Sequence, residues 1–191
     1  MDSYSEVLNK MVAPRQLMNS YKLFMVKVIF ALCHERRQQS DFYEIGCRMV
    51  AYSWPYVLKK NGRLRQFDKL YDVVVLAIET EDLLETASTQ SIIDNLMNTK
   101  DHKLRREIIN LTNYVPYRLL SHDMNSYLEG KTDTQKNRLI EELSQSSDSI
   151  YLIDKKMINI RRPWYNYIVS HYKELDNWID ASIQTFLYNT N

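Results

Sequence analysis

The feature that most limits how this chain can fold is the apolar segment Leu23–Cys33, which contains a single charged residue, Lys27. Apolar side chains in and around it recur at steps of three and four residues, the spacing of one face of an α-helix. Apolar residues also occupy the other faces, so this helix has no solvent side and must be surrounded by other elements. We therefore predict a helix over residues 17–36 at the centre of a multi-helix core.

A second helix is predicted over residues 41–57, after a short polar link. Asp41 and Glu44 have the spacing of a helix N-cap and its partner three positions later. Pro55 is expected to stop or bend this helix, because proline has no N–H to donate and its ring crowds the preceding turn. The two helices together form an αα-hairpin.

The rest of the chain is also predicted to be mostly helical. Further helices are predicted at residues 68–80, 89–98, 101–111 and 132–143, followed by one beginning at Pro163 and a last one capped by Asp176. Val115–Leu120 is predicted to be an apolar link, and residues 150–160 alternate in the manner of a short β-hairpin. Only three glycines are present, which disfavours long flexible loops. The prediction is a mainly-α fold with a lead-in over 1–16, a single helical domain over 17–191 and at most one short hairpin.

No self-contained catalytic motif is present. The four histidines, at positions 34, 102, 122 and 171, are isolated, and the two cysteines form no Cys-x-x-Cys pair, so neither metal nor cofactor is predicted. Cys33 and Cys47 lie on apolar stretches and are expected to be buried free thiols in a reducing compartment. No signal peptide is visible, and the apolar segment is too short to span a bilayer. A cytoplasmic protein without membrane association is the expectation.

The net charge of +1 conceals a strong segregation of charge along the chain. Residues 1–70 carry twelve basic and six acidic side chains, whereas residues 71–99 carry six acidic and no basic ones. Residues 100–118 return to five basic against two acidic, and residues 151–163 carry four against one. The basic segments either converge on one face in three dimensions or form separate solvated helix surfaces.

Several basic residues lie beside aromatic residues in the sequence. Lysine and arginine neutralise phosphates, and exposed aromatic rings stack on bases. Trp54, Tyr56, Trp164 and Tyr165 are the aromatic neighbours, and the alternative is that they belong to the core. Positive charge near the start of the helix at 101–111 opposes the helix dipole, which hints at another role for it. The candidate phosphate contacts are Lys59, Lys60, Arg63, Arg65, Lys103, Arg105, Arg106, Arg161 and Arg162, and Lys155 and Lys156 belong to the same basic–aromatic pattern.

Two stretches of the chain resemble a helical region found N-terminal to the nuclease module of bacterial HNH endonuclease-domain proteins of restriction or phage-defence type. The first is Ser20–Lys22 opening the long apolar helix, continuing through Phe42 and Met49 to Trp54-Pro55-Tyr56. The second is Val115–Leu120, followed by Pro163–Ile168 and Trp178-Ile179. In such proteins the HNH module, with its metal-binding histidines, follows the last helix, and no such segment is present in these 191 residues.

The resemblance implies a domain that performs no chemistry itself. It would be a free-standing relative, a subunit or a part of a longer nuclease, and its partners would be duplex DNA, a nuclease domain or subunit, or a second copy of itself. The predicted function is therefore a non-catalytic DNA-associated module of an HNH-type system. The alternative is a helical protein–protein interaction protein, a homodimer or scaffold, with no nucleic-acid role.

Overall fold

The fold is mainly α, as predicted, with one small antiparallel sheet. The structure is a computed structural model that describes residues 3–13, 17–65, 68–121, 124–146 and 148–188, so residues 1, 2 and 14–16 of the predicted lead-in, and His122, lie outside the described residues. The helices are α1 Ser3–Met11, α2 Tyr21–His34, α3 Phe42–Lys60, α4 Leu70–Glu81, α5 Thr89–Asn98, α6 His102–Leu111, α7 Val115–Leu120, α8 Asn125–Leu128, α9 Asp133–Ser146, α10 Arg162–Ser170 and α11 Tyr172–Tyr188. The strands are β1 Gln39–Asp41, β2 Tyr151–Asp154 and β3 Met157–Ile160.

Helix α2 is the central element, and its predicted burial is confirmed. Every residue of Leu23–Cys33 except Lys27 is buried, and the helix packs against α3, α7, α10 and α11. Lys27 avoids an unpaired buried charge because its ammonium lies 2.5 Å from a carboxylate oxygen of Asp180 and 3.3 Å from one of Asp176. These contacts attach α11 to the middle of the core.

The start of α2 differs from the prediction by one turn, since the helix begins at Tyr21. The residue before it, Ser20, donates its backbone N–H and its hydroxyl to the fully buried carboxylate of Asp68, with an N–O distance of 3.0 Å. The other carboxylate oxygen accepts the N–H of Leu70 at 3.0 Å, at the start of α4. A tertiary contact therefore fixes both helix starts together.

Helix α3 begins as predicted but does not stop at Pro55. The Asp41 carboxylate accepts the N–H of Glu44 at 2.8 Å, which confirms the N-cap. The helix continues to Lys60 and ends at Asn61, whose φ of 47° is a left-handed C-cap conformation. Proline removes only one helical hydrogen bond, and the buried residues on both sides of it keep the helix packed.

Helices α3 and α6 approach each other closely at Gly46. A Cβ added at Gly46 would lie 2.8 Å from Ile108 Cγ2 and 2.9 Å from the Ile108 carbonyl oxygen. We expect Gly46→Ala to lower the free energy of unfolding by about 2 kcal/mol, because this clash outweighs the higher helix propensity of alanine. Urea denaturation measures the change.

Gly62→Ala is the matched control and should stay within about 0.5 kcal/mol of wild type, since its added Cβ meets only the Lys60 carbonyl oxygen, at 3.9 Å. Equal stability of both variants would contradict the close packing.

The middle of the chain forms short helices packed on α3. The helices predicted at 68–80, 89–98 and 101–111 are confirmed as α4, α5 and α6, and Asp101 caps α6 by accepting the N–H of Leu104 at 2.6 Å. Val115–Leu120 forms helix α7, so the prediction of a link was wrong. Pro116 sits in the first turn of α7, where proline is compatible with a helix because no intrahelical N–H bond is lost.

The sheet has the order β1-β3-β2, with both pairs antiparallel. The predicted hairpin is confirmed as β2 and β3, whose buried side includes Tyr151, Ile153 and Ile158. Strand β1 was predicted as part of a polar link, and it pairs with β3 in the register Gln39↔Asn159. Three residues carry too little alternation to reveal a strand, so its existence depends on the hairpin that it joins.

The C-terminal helices α10 and α11 are separated only by His171. Trp164, Tyr165 and Ile168 are the buried residues of α10, and Pro163 lies in its first turn as predicted. Asp176 was predicted to cap the last helix, which was wrong because α11 begins at Tyr172 and Asp176 lies inside it. The residues around Asp176, where the spacing suggested that a helix begins, are therefore continuous helix. Within the described part of the chain, no helix is long and apolar enough to cross a membrane.

Candidate nucleic-acid interface

The hairpin turn between β2 and β3 consists of two lysines. Lys155 and Lys156 have φ values of 48° and 63°, and both are exposed. A two-residue turn with both φ values positive is usually built from Asn-Gly, because larger side chains strain this conformation. The turn lies against the start of α3, since the Lys156 carbonyl oxygen accepts the N–H of Phe42 at 2.9 Å.

The N-terminal half of α6 carries three more cations, and one of them lies against the same end of α3. The Arg105 guanidinium lies over the ring of Tyr43, 4.2 Å from its centroid, and Tyr43 is the second residue of α3. Lys103 and Arg106 are exposed, and Arg106 forms a 3.4 Å ion pair with Glu107. We define the basic face as Lys103, Arg105, Arg106, Lys155 and Lys156.

Acidic groups at this end of the molecule are mostly engaged in local contacts. Asp41 and Asp101 cap α3 and α6. Glu141 accepts the backbone N–H of Lys155 at 3.2 Å. Among the described residues, no carboxylate lies within ion-pair distance of Lys103, Lys155 or Lys156. Three ammonium groups of the basic face are therefore available to an external anion.

Arg161 and Arg162 lie at the other end of the sheet and mainly form hydrogen bonds within the protein. Arg161 Nη2 donates to the carbonyl oxygens of Ser144 at 2.7 Å and Gln145 at 3.1 Å. Arg162 is exposed, donates to the Gln38 side chain at 3.3 Å and lies 5.4 Å from the centroid of the Tyr165 ring. Arg161 in particular is committed to internal contacts.

The predicted residues at 59–65 lie at the opposite end of α3 from the basic face. Sixteen residues separate Tyr43 from Lys59, which corresponds to about 24 Å along a helix axis. Arg63 pairs with Asp72, with a shortest N–O distance of 2.8 Å. The half-buried Arg65 guanidinium lies 4.3 Å from the Phe186 ring centroid and donates to the Leu17 carbonyl oxygen at 3.1 Å. Lys60 donates to the Leu64 carbonyl oxygen at 3.2 Å. The structure thus divides the nine predicted residues between separate regions.

The aromatic neighbours of these cations belong largely to the core. Trp54, Trp164 and Tyr165 are 2%, 4% and 9% exposed. The indole N–H of Trp54 donates to the Glu85 carbonyl oxygen, and that of Trp164 to the Asp148 carbonyl oxygen. Their rings are covered, so the stacking of these three on bases is excluded in this conformation. For these three residues, the alternative prediction that they belong to the core is confirmed.

A network of carboxylates and guanidinium groups lies beneath β1 and was not predicted. Arg48 is 4% exposed, donates from Nε to Glu44 at 2.9 Å and forms two bonds of 2.7 and 2.8 Å to Glu35. Arg37 donates two bonds to Glu44, and Ser40 donates one at 2.9 Å. Burial opposes ionisation of Glu44, but the hydrogen bonds from Arg37, Arg48 and Ser40 outweigh it and hold its pKa at about 2. The only sequence signal was the i, i+4 spacing of Glu44 and Arg48.

The remaining reactive side chains are poorly placed for chemistry. Cys33 and Cys47 are free and buried, as predicted, and burial raises the pKa of each thiol to about 12, which keeps them from acting as thiolate nucleophiles. Across the described ranges, no three His, Cys, Asp or Glu side chains are grouped so as to hold a metal ion.

The fold and these contacts define a mainly-α protein with a basic face at one end of α3. Comparison with protein-family models, with curated proteins and with solved structures finds no match. The resemblance to the helical region of HNH endonuclease-domain proteins therefore stays a prediction from the sequence.

Proposed function

We propose that this protein is a non-catalytic module that contacts the phosphate backbone of duplex DNA through the basic face. The observation that carries the proposal is the Lys155–Lys156 turn, in which two exposed, unpaired lysines occupy left-handed positions that asparagine and glycine adopt more easily. A strained choice of residue at a surface turn needs a reason outside the stability of the turn. Phosphate binding supplies one, since both lysines are exposed and their turn, like Arg105, lies at the start of α3.

The proposed contacts give affinity and orientation without reading base sequence. Lysine and arginine bind phosphate oxygens, and each neutralised phosphate releases counterions from the DNA. Because Trp54, Trp164 and Tyr165 are buried, a base-stacking surface for single strands is missing at those residues, so we expect duplex to bind at least as well as single-stranded DNA. A place in an HNH-type restriction or phage-defence system rests on the sequence resemblance alone.

Lys155→Asn combined with Lys156→Gly tests the proposal without weakening the fold. Asn-Gly is the preferred sequence for this turn, so the thermal midpoint should equal or exceed that of wild type. The variant should bind random-sequence duplex DNA more weakly. The slope of log affinity against log salt should become shallower by about 2, because two phosphate contacts are lost. Fluorescence anisotropy between about 50 and 200 mM salt measures the affinity and this slope. For several phosphate contacts, the affinity should change roughly tenfold or more over that range of salt.

Lys59→Gln combined with Lys60→Gln is the matched control. It removes the same charge at the far end of α3 and is expected to bind DNA as wild type does. A loss equal to that of the turn variant would move the interface to residues 59–65 and overturn the assignment to the basic face. An affinity of the wild-type protein that is independent of salt would overturn phosphate contact altogether. Absence of DNA binding together with a dimer in light scattering would instead favour the protein–protein interaction alternative.

A further inference from the structure

A separate cavity lies between the start of α2 and helix α7. Its volume is about 320 Å³, which is at the lower end of the range for small-molecule sites. Its lining includes Met18, Tyr21, Lys22, Tyr114, Val115 and Arg118. None of these residues belongs to the basic face. The cavity is formed where Ser20–Lys22 meets Val115–Leu120, two segments far apart in the sequence.

Two cations line this cavity, and one of them, Lys22, has no matching anion. Lys22 is half-buried, and within the described ranges its ammonium has neither an ion-pair nor a hydrogen-bond partner. Burial lowers the pKa of Lys22, and the nearby Arg118 charge lowers it further. The two positive charges therefore lie close enough to repel each other in a site that is partly shielded from water.

Arg118, which also lines the cavity, has an unused hydrogen-bond donor. Its Nη2 donates to the carboxylate of Asp133 at 2.7 Å, and Asp133 is 61% exposed. Its Nη1 is buried and finds no acceptor in the described structure. A buried guanidinium nitrogen without a partner is costly, and native structures rarely leave one unsatisfied.

The cavity walls supply apolar and aromatic surface beside these charges. Met18 and Tyr114 remain 83% and 50% exposed although both line the cavity. The Arg118 guanidinium lies 5.8 Å from the centroid of the Tyr114 ring, and Val115 adds aliphatic surface. Apolar walls with a few convergent polar groups are the usual composition of a small-molecule site.

We propose that this cavity binds a small organic anion, a carboxylate or phosphate group attached to an apolar or aromatic body. The anionic group lies between Lys22 and Arg118 and compensates their charges. The body packs against Met18, Tyr114 and Val115. Binding supplies the counter-charge that Lys22 lacks in the fold, which accounts for an unpaired lysine being kept in a shielded position beside Arg118.

Four probes that share one ring test the chemistry: benzoate, phenyl phosphate, neutral benzamide and cationic benzylamine. Titration into the wild-type protein, followed by NMR chemical shifts or calorimetry, should show saturable binding of at least one of the two anions and far weaker binding of the other two compounds. A preference for phenyl phosphate or for benzoate identifies which anionic group the site takes. Binding of benzamide as strong as that of both anions, or no binding of either anion, overturns the proposal.

Lys22→Met tests the site directly. The variant should weaken anion binding about tenfold or more, as expected for loss of one charged contact. Its thermal midpoint should not fall, since an unpaired half-buried charge is removed. Arg118→Lys provides a second variant that keeps the charge but loses the planar fork, and it too should weaken anion binding. Lys59→Met, at a residue that does not line the cavity, is the control and should bind as wild type does. Unchanged anion affinity in both Lys22→Met and Arg118→Lys overturns the assignment.

Discussion

Replacing Phe24 by alanine is expected to lower the free energy of unfolding by about 3–5 kcal/mol, the usual cost of deleting a buried aromatic ring. Phe24 is fully buried in α2, and its ring centroid lies 5.8 Å from that of Tyr56 on α3. Because α2 is enclosed by four other helices, its neighbours cannot collapse into the space without moving one another. Since small proteins are stable by about 5–15 kcal/mol, this single change removes a large fraction of the total. Urea denaturation followed by circular dichroism measures the loss.

Two controls distinguish the effect of the space that Phe24→Ala leaves in the core from a general sensitivity of the protein to mutation. Phe24→Leu keeps much of the volume and should cost roughly 1–2 kcal/mol. Leu84→Ala removes an apolar side chain that is 71% exposed and should stay within about 0.5 kcal/mol of wild type. A Phe24→Ala protein as stable as the Leu84→Ala protein would contradict the central position of α2.

Acidification is expected to destabilise the protein through Glu44. The pKa of Glu44 is depressed from 4.5 to about 2 in the folded state, a difference worth roughly 3 kcal/mol of stability at neutral pH. Because the folded pKa lies below the unfolded one, this stability is fully present above about pH 4.5. It is lost progressively as the pH falls from about 4.5 to about 2, because the unfolded chain takes up the proton first; near pH 2 the folded carboxylate is protonated too and its bonds to Arg37 and Arg48 weaken. Urea midpoints measured at pH 7, 4.5 and 2.5 follow the loss.

Glu44→Gln isolates this contribution. The variant should be less stable than wild type at pH 7, and the gap should narrow as the pH falls, because wild-type Glu44 then loses its charge as well. Arg48 keeps its two bonds to Glu35 in the variant, so the loss should come from position 44. Glu174→Gln, at an exposed position, is the control and should track wild type at every pH. A constant gap between wild type and Glu44→Gln from pH 7 to pH 2.5 would show that the charge of Glu44 is not responsible.

The candidate site was predictable only in part. The sequence pointed to Lys103, Arg105 and Arg106 because their charge opposes the dipole of α6, and to the lysine pair at 155–156 through its aromatic neighbours. It did not reveal that both groups lie at the start of α3, while Arg63 and Arg65 are engaged with Asp72 and Phe186 at the other end. Pairing across the fold decided which predicted cations remain available to an external phosphate.

Local sequence patterns were enough to predict the mainly-α class, the burial of α2, the cap at Asp41 and the β2–β3 hairpin. These features depend on periodicity and capping within a few residues, so their physical cause is local. Tertiary packing produces the pairing of β1, the bonds of Arg48 to Glu35 and the cavity between Lys22 and Arg118. Each of these joins segments whose contact depends on how the helices pack around α2, and no local pattern of side chains specifies that arrangement.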